Sequence, residues 1–391
     1  NRYGSMMQAI AGVHFNFSFP DSFWALWAQL NGKDHSQEQT SEDYFSLIRN
    51  YRRFCWLIPY LYGASPALCG SFLAGKSHGL PFKKVGQGTY YMPYATSLRM
   101  SDLGYTSAEQ SSLKICYNKL DNYVALLREA MGTPSSRFSQ FAAGEEGNYQ
   151  QLSRNILQIE NELYSPIRPK QPTQSMEKPT DALVKRGINY IEVRALDVNP
   201  FSAIGISESQ FHFLDVFLLS CLLMPSEALD ESQLTEAKDN MNKVVLEGRN
   251  PELKLLQGGE EISLPAWCET LFAQFKQVAA LLDTANETDK YMAAVDEEWQ
   301  KVIDPAKTPS GVLLNALLKD DKDNSVFGLE LAERYKAEMA GYAYTHTDAD
   351  AFQAASQASL DAQADVEAAD SKDFDSFIRD YFNEPPAKKN A

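Results

Sequence analysis

The two halves of this 391-residue chain carry different hydrophobic patterns, and this difference constrains the fold more than any other feature. Residues 12–19 alternate strictly, so that Val13, Phe15 and Phe17 face one side of a predicted strand. A second clear strand is predicted at 187–195. Beyond Ser207 the apolar spacing becomes helical, with helices predicted at 208–224, 231–247, 266–283, 288–303, 326–340 and 349–370. Strands clustered before helices indicate an α+β fold rather than alternating βαβ units.

Weaker patterns complete the first half. Helices are predicted at 41–57, where Pro59 ends the pattern, and at about 107–131. The segment 155–164 alternates as a strand does, and four prolines from Pro166 to Pro179 indicate a loop or linker. The chain is therefore expected to divide into a sheet-bearing part at 1–205, a helical part packed on it at 206–384, and a disordered tail at 385–391.

Composition excludes several classes of protein. A net charge of −16 argues against nucleic-acid or anionic-membrane partners, which require a basic surface. Hydrophobic residues form 44% of the chain, enough for a large core, but the longest apolar run, 211–224, is too short to span a bilayer. Five scattered cysteines favour reduced thiols and hence a cytoplasmic protein. Because the chain enters a strand almost at once and lacks an initial methionine, we expect a truncated N-terminus.

Glu192 and Arg194 form the most informative pair of candidate site residues. They lie two positions apart on a predicted strand, so both side chains leave the same face, about 6.6 Å apart. A carboxylate beside a guanidinium suits a metal–phosphate site, in which the carboxylate binds Mg²⁺ and the arginine binds a phosphoryl oxygen. The alternative is a cross-strand ion pair on a solvated face.

Four further candidate residues each have two possible interpretations. His14 lies on the polar face of the first strand, where metal ligation competes with a hydrogen-bonded structural role. Arg99 lies in a loop rich in hydroxyl groups and is either an anion-binding residue or an exposed one. Glu160 and Glu162, predicted on one strand face with Tyr164, are either metal ligands or surface residues.

Residues 70–77 satisfy the P-loop pattern letter for letter. A P-loop requires a helix that begins at the lysine, yet Gly79 and Pro81 follow within a few residues and no helix is predicted there. We interpret this match as chance.

Five segments of the first half stand out by their motifs. They are Asn-Arg-Tyr-Gly at 1–4 with Gly-Val-His-Phe-Asn-Phe-Ser at 12–18, parts of 48–66, all of 91–105, Leu-Gln-Ile-Glu-Asn-Glu-Leu-Tyr-Ser-Pro-Ile-Arg-Pro-Lys at 157–170, and Tyr-Ile-Glu-Val-Arg-Ala-Leu-Asp-Val-Asn-Pro-Phe-Ser at 190–202. Together these segments resemble the proteobacterial type of glutamate–cysteine ligase, also called γ-glutamylcysteine synthetase. They keep the family's order and approximate spacing through residue 205, and several long segments in register are specific.

The resemblance implies an enzyme that joins L-glutamate to L-cysteine with ATP, the first committed step of glutathione synthesis. It implies a fold similar to the glutamine synthetase catalytic domain, with a curved, mainly antiparallel sheet wrapped by helices. The implied cofactor is Mg²⁺, with Mn²⁺ as an alternative, and the implied state is a monomer. The resemblance assigns magnesium ligation to His14 and Glu192, phosphate contact to Arg194, substrate carboxylate or phosphate binding to Arg99, and the cysteine pocket to Gln8, Tyr105 and Tyr164.

The chain departs from the family in one respect. Members carry a further N-terminal segment that supplies acidic magnesium ligands, and without it we expect a fragment that lacks most activity alone. Two alternative functions remain open: a related ligase that joins glutamate to another amine, and an acidic helical scaffold that performs no chemistry.

Overall fold

The structure is a computed structural model that describes residues 2–4, 9–75, 79–104, 109–110, 113–145 and 147–383. Its strand pairs are antiparallel and its second half is mostly helical, which confirms the predicted α+β class. Within the described residues the strands form small sheets of two or three strands.

The sheet that matters for function has the order β1–β8–β7. Its strands are β1 (Val13–Phe17), β8 (Tyr190–Leu196) and β7 (Ile167–Lys170), with β8 in the centre. Phe15 and Ile167 lie opposite Val193, and all three are buried on the core side. The polar residues between them therefore share the other side of the sheet.

β7 lies in the segment predicted as a proline-rich loop, so that prediction was wrong. Pro169 stands opposite Ile191 in the register, on a strand that pairs, among the described residues, only along its β8 edge. A proline is tolerated at such an edge because its missing N–H removes no bond from the sheet interior. The prolines thus led to the prediction of a loop where the structure has a strand, and this strand carries two basic residues, Arg168 and Lys170.

Two other predictions for the first half also failed. Residues 113–119 are not helical: Ile115 and Tyr117 are buried in the core at a spacing of two, and the helix α5 begins only at Leu120 (Leu120–Gly132). The segment predicted as a strand at 155–164 contains instead a short 3₁₀ turn at Glu160–Glu162. There the Glu162 carboxylate accepts hydrogen bonds from the Gln158 main chain and side chain, a local bonding pattern that replaces sheet pairing.

The other elements of the first half are short except for one helix. That helix is α2 (Gln37–Phe54), capped by the Ser36 hydroxyl. Pro59 does not end the helical region but lies in the first turn of α3, where no intrahelical donor is required. The remaining elements are α1 (Asp21–Leu30), α3 (Leu57–Tyr62), β2 (Ala67–Cys69), α4 (Gly70–Leu73), β3 (Lys83–Val85), β4 (Thr89–Tyr91), β5 (Ala143–Glu145), β6 (Asn148–Tyr149) and α6 (Pro179–Arg186).

The second half follows the predicted helices closely. Helix α7 begins at Glu208, as predicted, and a capping box between Ser207 and Gln210 marks its first turn. The hairpin β9–β10 and the helix α11 were not predicted. The elements are α7 (Glu208–Leu223), α8 (Glu231–Glu247), β9 (Lys254–Gln257), β10 (Glu260–Ser263), α9 (Leu264–Asn286), α10 (Lys290–Ile303), α11 (Pro309–Lys319), α12 (Asn324–Ala340), α13 (Ala349–Ala369) and α14 (Phe374–Asn383).

One main hydrophobic core joins the two halves. Helix α7 packs against α2, α9 and α10, so that Phe213, Phe217 and Leu218 are fully buried. Phe15, Ile191 and Val193 of the sheet belong to the same cluster. The helices therefore support the sheet from its core side and leave its polar side for other contacts. Within the described ranges, none of the helices is both long and apolar enough to cross a membrane.

Candidate functional site

The candidate site is the polar face of the β1–β8–β7 sheet. Asn16, Glu192 and Arg168 stand opposite one another in a row across the three strands. Arg194 and Lys170 project from the same face, because each lies two positions from a member of that row. We use the name "polar face" for this side of the sheet.

The Glu192 carboxylate lies at the centre of the polar face. Its Oε1 atom lies 3.0 Å from His14 Nδ1, and its Oε2 atom lies 3.2 Å from both Lys170 Nζ and Arg194 Nη1. Burial acts to raise the pKa of Glu192, but the charges of Lys170 and Arg194 outweigh it and hold this pKa below its ordinary value. Glu192 is therefore ionised at neutral pH, as a metal ligand must be.

His14 lies at the more open edge of the cluster, with 42% of its side chain exposed. Burial is the main cause that lowers the pKa of His14, and the nearby Arg194 charge lowers it further against the opposing effect of Glu192. A neutral imidazole results near pH 7, and this is the form that can ligate a metal.

Arg99 lies beside the polar face in a buried ion pair. Its Nε donates to Asp197 Oδ1 over 2.6 Å, and its Nη2 donates to the main-chain carbonyls of Arg194 and Leu196. A Cβ at position 12 would lie 2.6 Å from Arg99 Nη1, so Gly12 provides the space for this guanidinium. Arg99 thus joins its loop to the end of β8.

Asp197 completes this attachment. Its Oδ1 also accepts from the Ser97 hydroxyl, and its Oδ2 accepts from Ala64 N and the Ser65 hydroxyl at 2.8 and 2.7 Å. The carboxylate is 4% exposed and fully engaged, so it fixes two loops to the strand that carries Glu192.

Tyr164 lies in a neighbouring aromatic cluster. Its ring packs edge-on against Tyr3 with centroids 6.0 Å apart, and its main-chain N–H donates to Gln110. The cluster is linked to the polar face because Arg168 Nη2 donates to the carbonyl of Leu163, the residue before Tyr164. The structure therefore brings Tyr164 near the row that contains Glu192, while Gln8 and Tyr105 lie outside the described residues.

The described residues of the P-loop pattern, 70–75, follow strand β2, which belongs to a different sheet. A four-residue helix begins at Gly70 and ends at Leu73, before the lysine, and residues 76–78 lie outside the described ranges. The helix that a P-loop requires after its second glycine is therefore not supplied by Gly70–Leu73.

Arg168, Lys170 and Asp197 were not predicted as site residues. A signal for the first two existed, since Ile167-Arg-Pro-Lys alternates apolar and basic residues, but the surrounding prolines argued for a loop. Asp197 had no local signal, because its role depends on partners about 100 and 130 residues away in the chain.

Two side chains of the polar face are suited to ligate a divalent ion. His14 Nδ1 and Glu192 Oε1 are close enough to bind one ion together. No group of three or more His, Cys, Asp or Glu side chains in the described ranges could hold a metal. Two protein ligands fit a Mg²⁺ ion that takes its other ligands from substrate phosphates and water.

This geometry defines a class of protein. One ionised carboxylate surrounded by guanidinium, ammonium and imidazole groups, on one face of an antiparallel sheet, is typical of an enzyme that binds phosphate or carboxylate substrates.

Comparisons with known proteins identify the family. Residues 1–244 match the family described as glutamate-cysteine ligase. The chain is 49% identical over 384 residues to the glutamate–cysteine ligase of Shewanella halifaxensis, covering 97% of this chain and 73% of that protein. The corresponding protein of Shewanella oneidensis is 48% identical over 386 residues, with 98% and 73% coverage.

A solved structure agrees with these relatives. The glutamate–cysteine ligase of Francisella tularensis, determined in complex with AMP, superposes with a TM-score of 0.87 at 33% identity. The match covers 98% of this chain and 74% of that one. The chain belongs to the glutamate–cysteine ligase family.

Proposed function

We propose that the protein joins the γ-carboxylate of L-glutamate to the amine of L-cysteine, using ATP and passing through a γ-glutamyl phosphate, as the first step of glutathione biosynthesis. The observation that carries the proposal is the similarity to glutamate–cysteine ligases over nearly the whole chain. The polar face supports it, because glutamate, ATP and the γ-glutamyl phosphate intermediate are anions.

ATP is the proposed nucleotide, supported by the AMP bound to the Francisella tularensis enzyme. Mg²⁺, or Mn²⁺ in its place, is the proposed ion, with His14 and Glu192 as its ligands from this chain. When bound, such an ion would neutralise negative charge on the nucleotide phosphates.

The proposed reaction has two steps. The glutamate γ-carboxylate attacks the γ-phosphorus of ATP, which gives an acyl phosphate and ADP. The cysteine amine then attacks the activated carbonyl carbon and phosphate leaves. Arg194 would donate hydrogen bonds to the transferring phosphoryl oxygens, because its Nη1 lies 3.2 Å from Oε2 of Glu192, the proposed ion ligand.

The substrate residues are assigned by the same proposal. Arg99 would bind a substrate carboxylate or phosphate, and Gln8, Tyr105 and Tyr164 would form the cysteine pocket. Tyr164 follows Leu163, whose carbonyl accepts a hydrogen bond from Arg168 of the polar face. This link supports a pocket that adjoins the polar face.

We also propose that the protein acts as a monomer in the cytoplasm. All five cysteines fall within the described residues and are free thiols, as expected in a reducing compartment.

The proposed function is tested by ADP release in the presence of Mg²⁺, ATP and L-glutamate, with and without L-cysteine. We would assay this chain beside the same chain extended to the length of its relatives. Release that depends on cysteine in either protein supports the proposal. Release with another amine but not with cysteine favours the related-ligase alternative, and no release with either protein contradicts both.

A further inference from the structure

Lys170 is the basic residue of the polar face that neither the sequence nor the proposed function explains. It stands opposite Tyr190 in the β7–β8 register, and its side chain crosses diagonally to Glu192, the next residue of β8 on that face. The ammonium therefore reaches the centre of the site from the edge strand.

Lys170 and Arg194 share one oxygen atom. Both Lys170 Nζ and Arg194 Nη1 lie 3.2 Å from Glu192 Oε2, so the two nitrogens cannot be farther apart than twice that distance. Two cationic donors at this spacing can contact different oxygens of one phosphoryl group.

The cations of the polar face converge on one carboxylate. Lys170 and Arg194 both contact Glu192, whereas Arg99 contacts Asp197. Two cationic donors beside one carboxylate oxygen are suited to hold an anionic group that enters next to them.

Lys170 is also the cation best placed to receive that anion. Arg168 donates to the carbonyls of Asn161 and Leu163, and Arg194 is 8% exposed. The Lys170 side chain is 23% exposed, and one of its three N–H donors is enough for the contact with Glu192.

We propose that Lys170 is a catalytic residue that contacts the γ-phosphoryl group as it passes from ATP to glutamate, a proposal that rests on the proposed function. In this step the bond between the γ-phosphorus and the bridging oxygen of ADP breaks, and a bond to the glutamate γ-carboxylate oxygen forms. Lys170 donates hydrogen bonds to the phosphoryl oxygens and keeps its proton throughout.

The test distinguishes contacts to the terminal phosphate from contacts to the rest of the nucleotide. Dissociation constants of β,γ-methylene-ATP and of AMP are measured by calorimetry with Mg²⁺ for the wild type, Lys170→Met, Lys170→Gln and Lys170→Arg. Lys185→Met is the matched control, since that lysine lies on helix α6, pairs with Glu177 and is 45% exposed. Steady-state kcat and KM are measured on the same proteins, extended to the length of the relatives.

We expect Lys170→Met and Lys170→Gln to weaken binding of the triphosphate analogue about tenfold, leave AMP binding unchanged, and lower kcat about 100-fold. Lys170→Arg should recover part of both losses, and Lys185→Met should match the wild type.

An unchanged ratio of the two dissociation constants in the folded variants overturns the proposal, as does an equal loss for both nucleotides. If the wild type lacks cysteine-dependent ADP release, the proposed function fails, but the ratio still shows whether Lys170 contacts the terminal phosphate. The two failures are therefore distinguishable.

Discussion

The polar face and the C-terminal helices α12 and α13 place charged residues in opposite environments. On the polar face, Glu192 and Arg194 are each 8% exposed and Arg168 is 5% exposed. In α12 and α13, whose residues are all described, no side chain is buried. Helix α13 contains four acidic residues and no basic one, so its negative charges have no compensating positive charge on the same helix.

This comparison shows where sequence changes should matter. A buried charge depends on a few fixed partners, and its removal leaves those partners unpaired. An exposed charge is solvated and can be replaced with little effect. Activity and stability should therefore be sensitive to changes on and beneath the polar face and tolerant of changes in α13.

The largest effect is expected from Glu192→Gln. This change removes the charge that pairs with Lys170 and Arg194 and removes a proposed ion ligand, so cysteine-dependent ADP release should fall on the order of a thousandfold. The matched control is Glu261→Gln, an exposed strand carboxylate 3.0 Å from Lys254. Equal activity in the two variants would show that the polar face is not the active site.

The next effect is on stability. Asp197→Ala should lower the free energy of unfolding by about 3 kcal/mol, because it leaves the buried Arg99 guanidinium without its carboxylate. Urea denaturation measures the change. Asp296→Ala, which breaks an exposed pair with Lys276, should leave the urea midpoint nearly unaltered. A small loss in Asp197→Ala would mean that water replaces the lost carboxylate.

A pair of leucines extends the comparison to apolar residues. Leu218 on α7 is fully buried, so Leu218→Ala should cost about 3 kcal/mol through lost contacts and a cavity. Leu360 on α13 is 57% exposed, and Leu360→Ala should change stability by less than about 0.5 kcal/mol. Comparable losses in the two variants, again from urea denaturation, would indicate that α13 is covered in solution.

The smallest effect concerns pH. Burial raises the pKa of Asp215 on α7 to about 6, against the opposing charge of His212. Between its unfolded pKa and pH 6 the folded state binds more protons, so this group lowers stability as pH rises. Asp215→Asn should therefore match the wild type near pH 4 and melt at a higher temperature above pH 6.

Asp365→Asn on the exposed helix α13 is the control for this titration, and it should follow the wild type at every pH. A constant difference between Asp215→Asn and the wild type across the range would refute the assignment, since only titration produces a pH-dependent gap.

Local sequence predicted much of the fold. The strands at β1 and β8 and the helices from α7 to α10 were predicted to within a few residues, because each has an apolar period that a single element satisfies. The prediction of a helix at 107–131 failed at residues 113–119. Ile115 and Tyr117 are buried in the core at a spacing of two, which an extended segment allows and a helix does not. The shared face of Glu192 and Arg194 followed from their spacing alone.

Sequence by itself therefore determined the α+β class, the strand that carries Glu192 and Arg194, and the family resemblance, since each depends on residues close together in the chain. Only the tertiary structure decided that Lys170 and His14 meet at Glu192, and that Asp197 fixes Arg99. These contacts join residues from separate elements. Their formation depends on strand pairing. The alternation within residues 167–170 is compatible with a strand, but it does not specify that this strand pairs with β8.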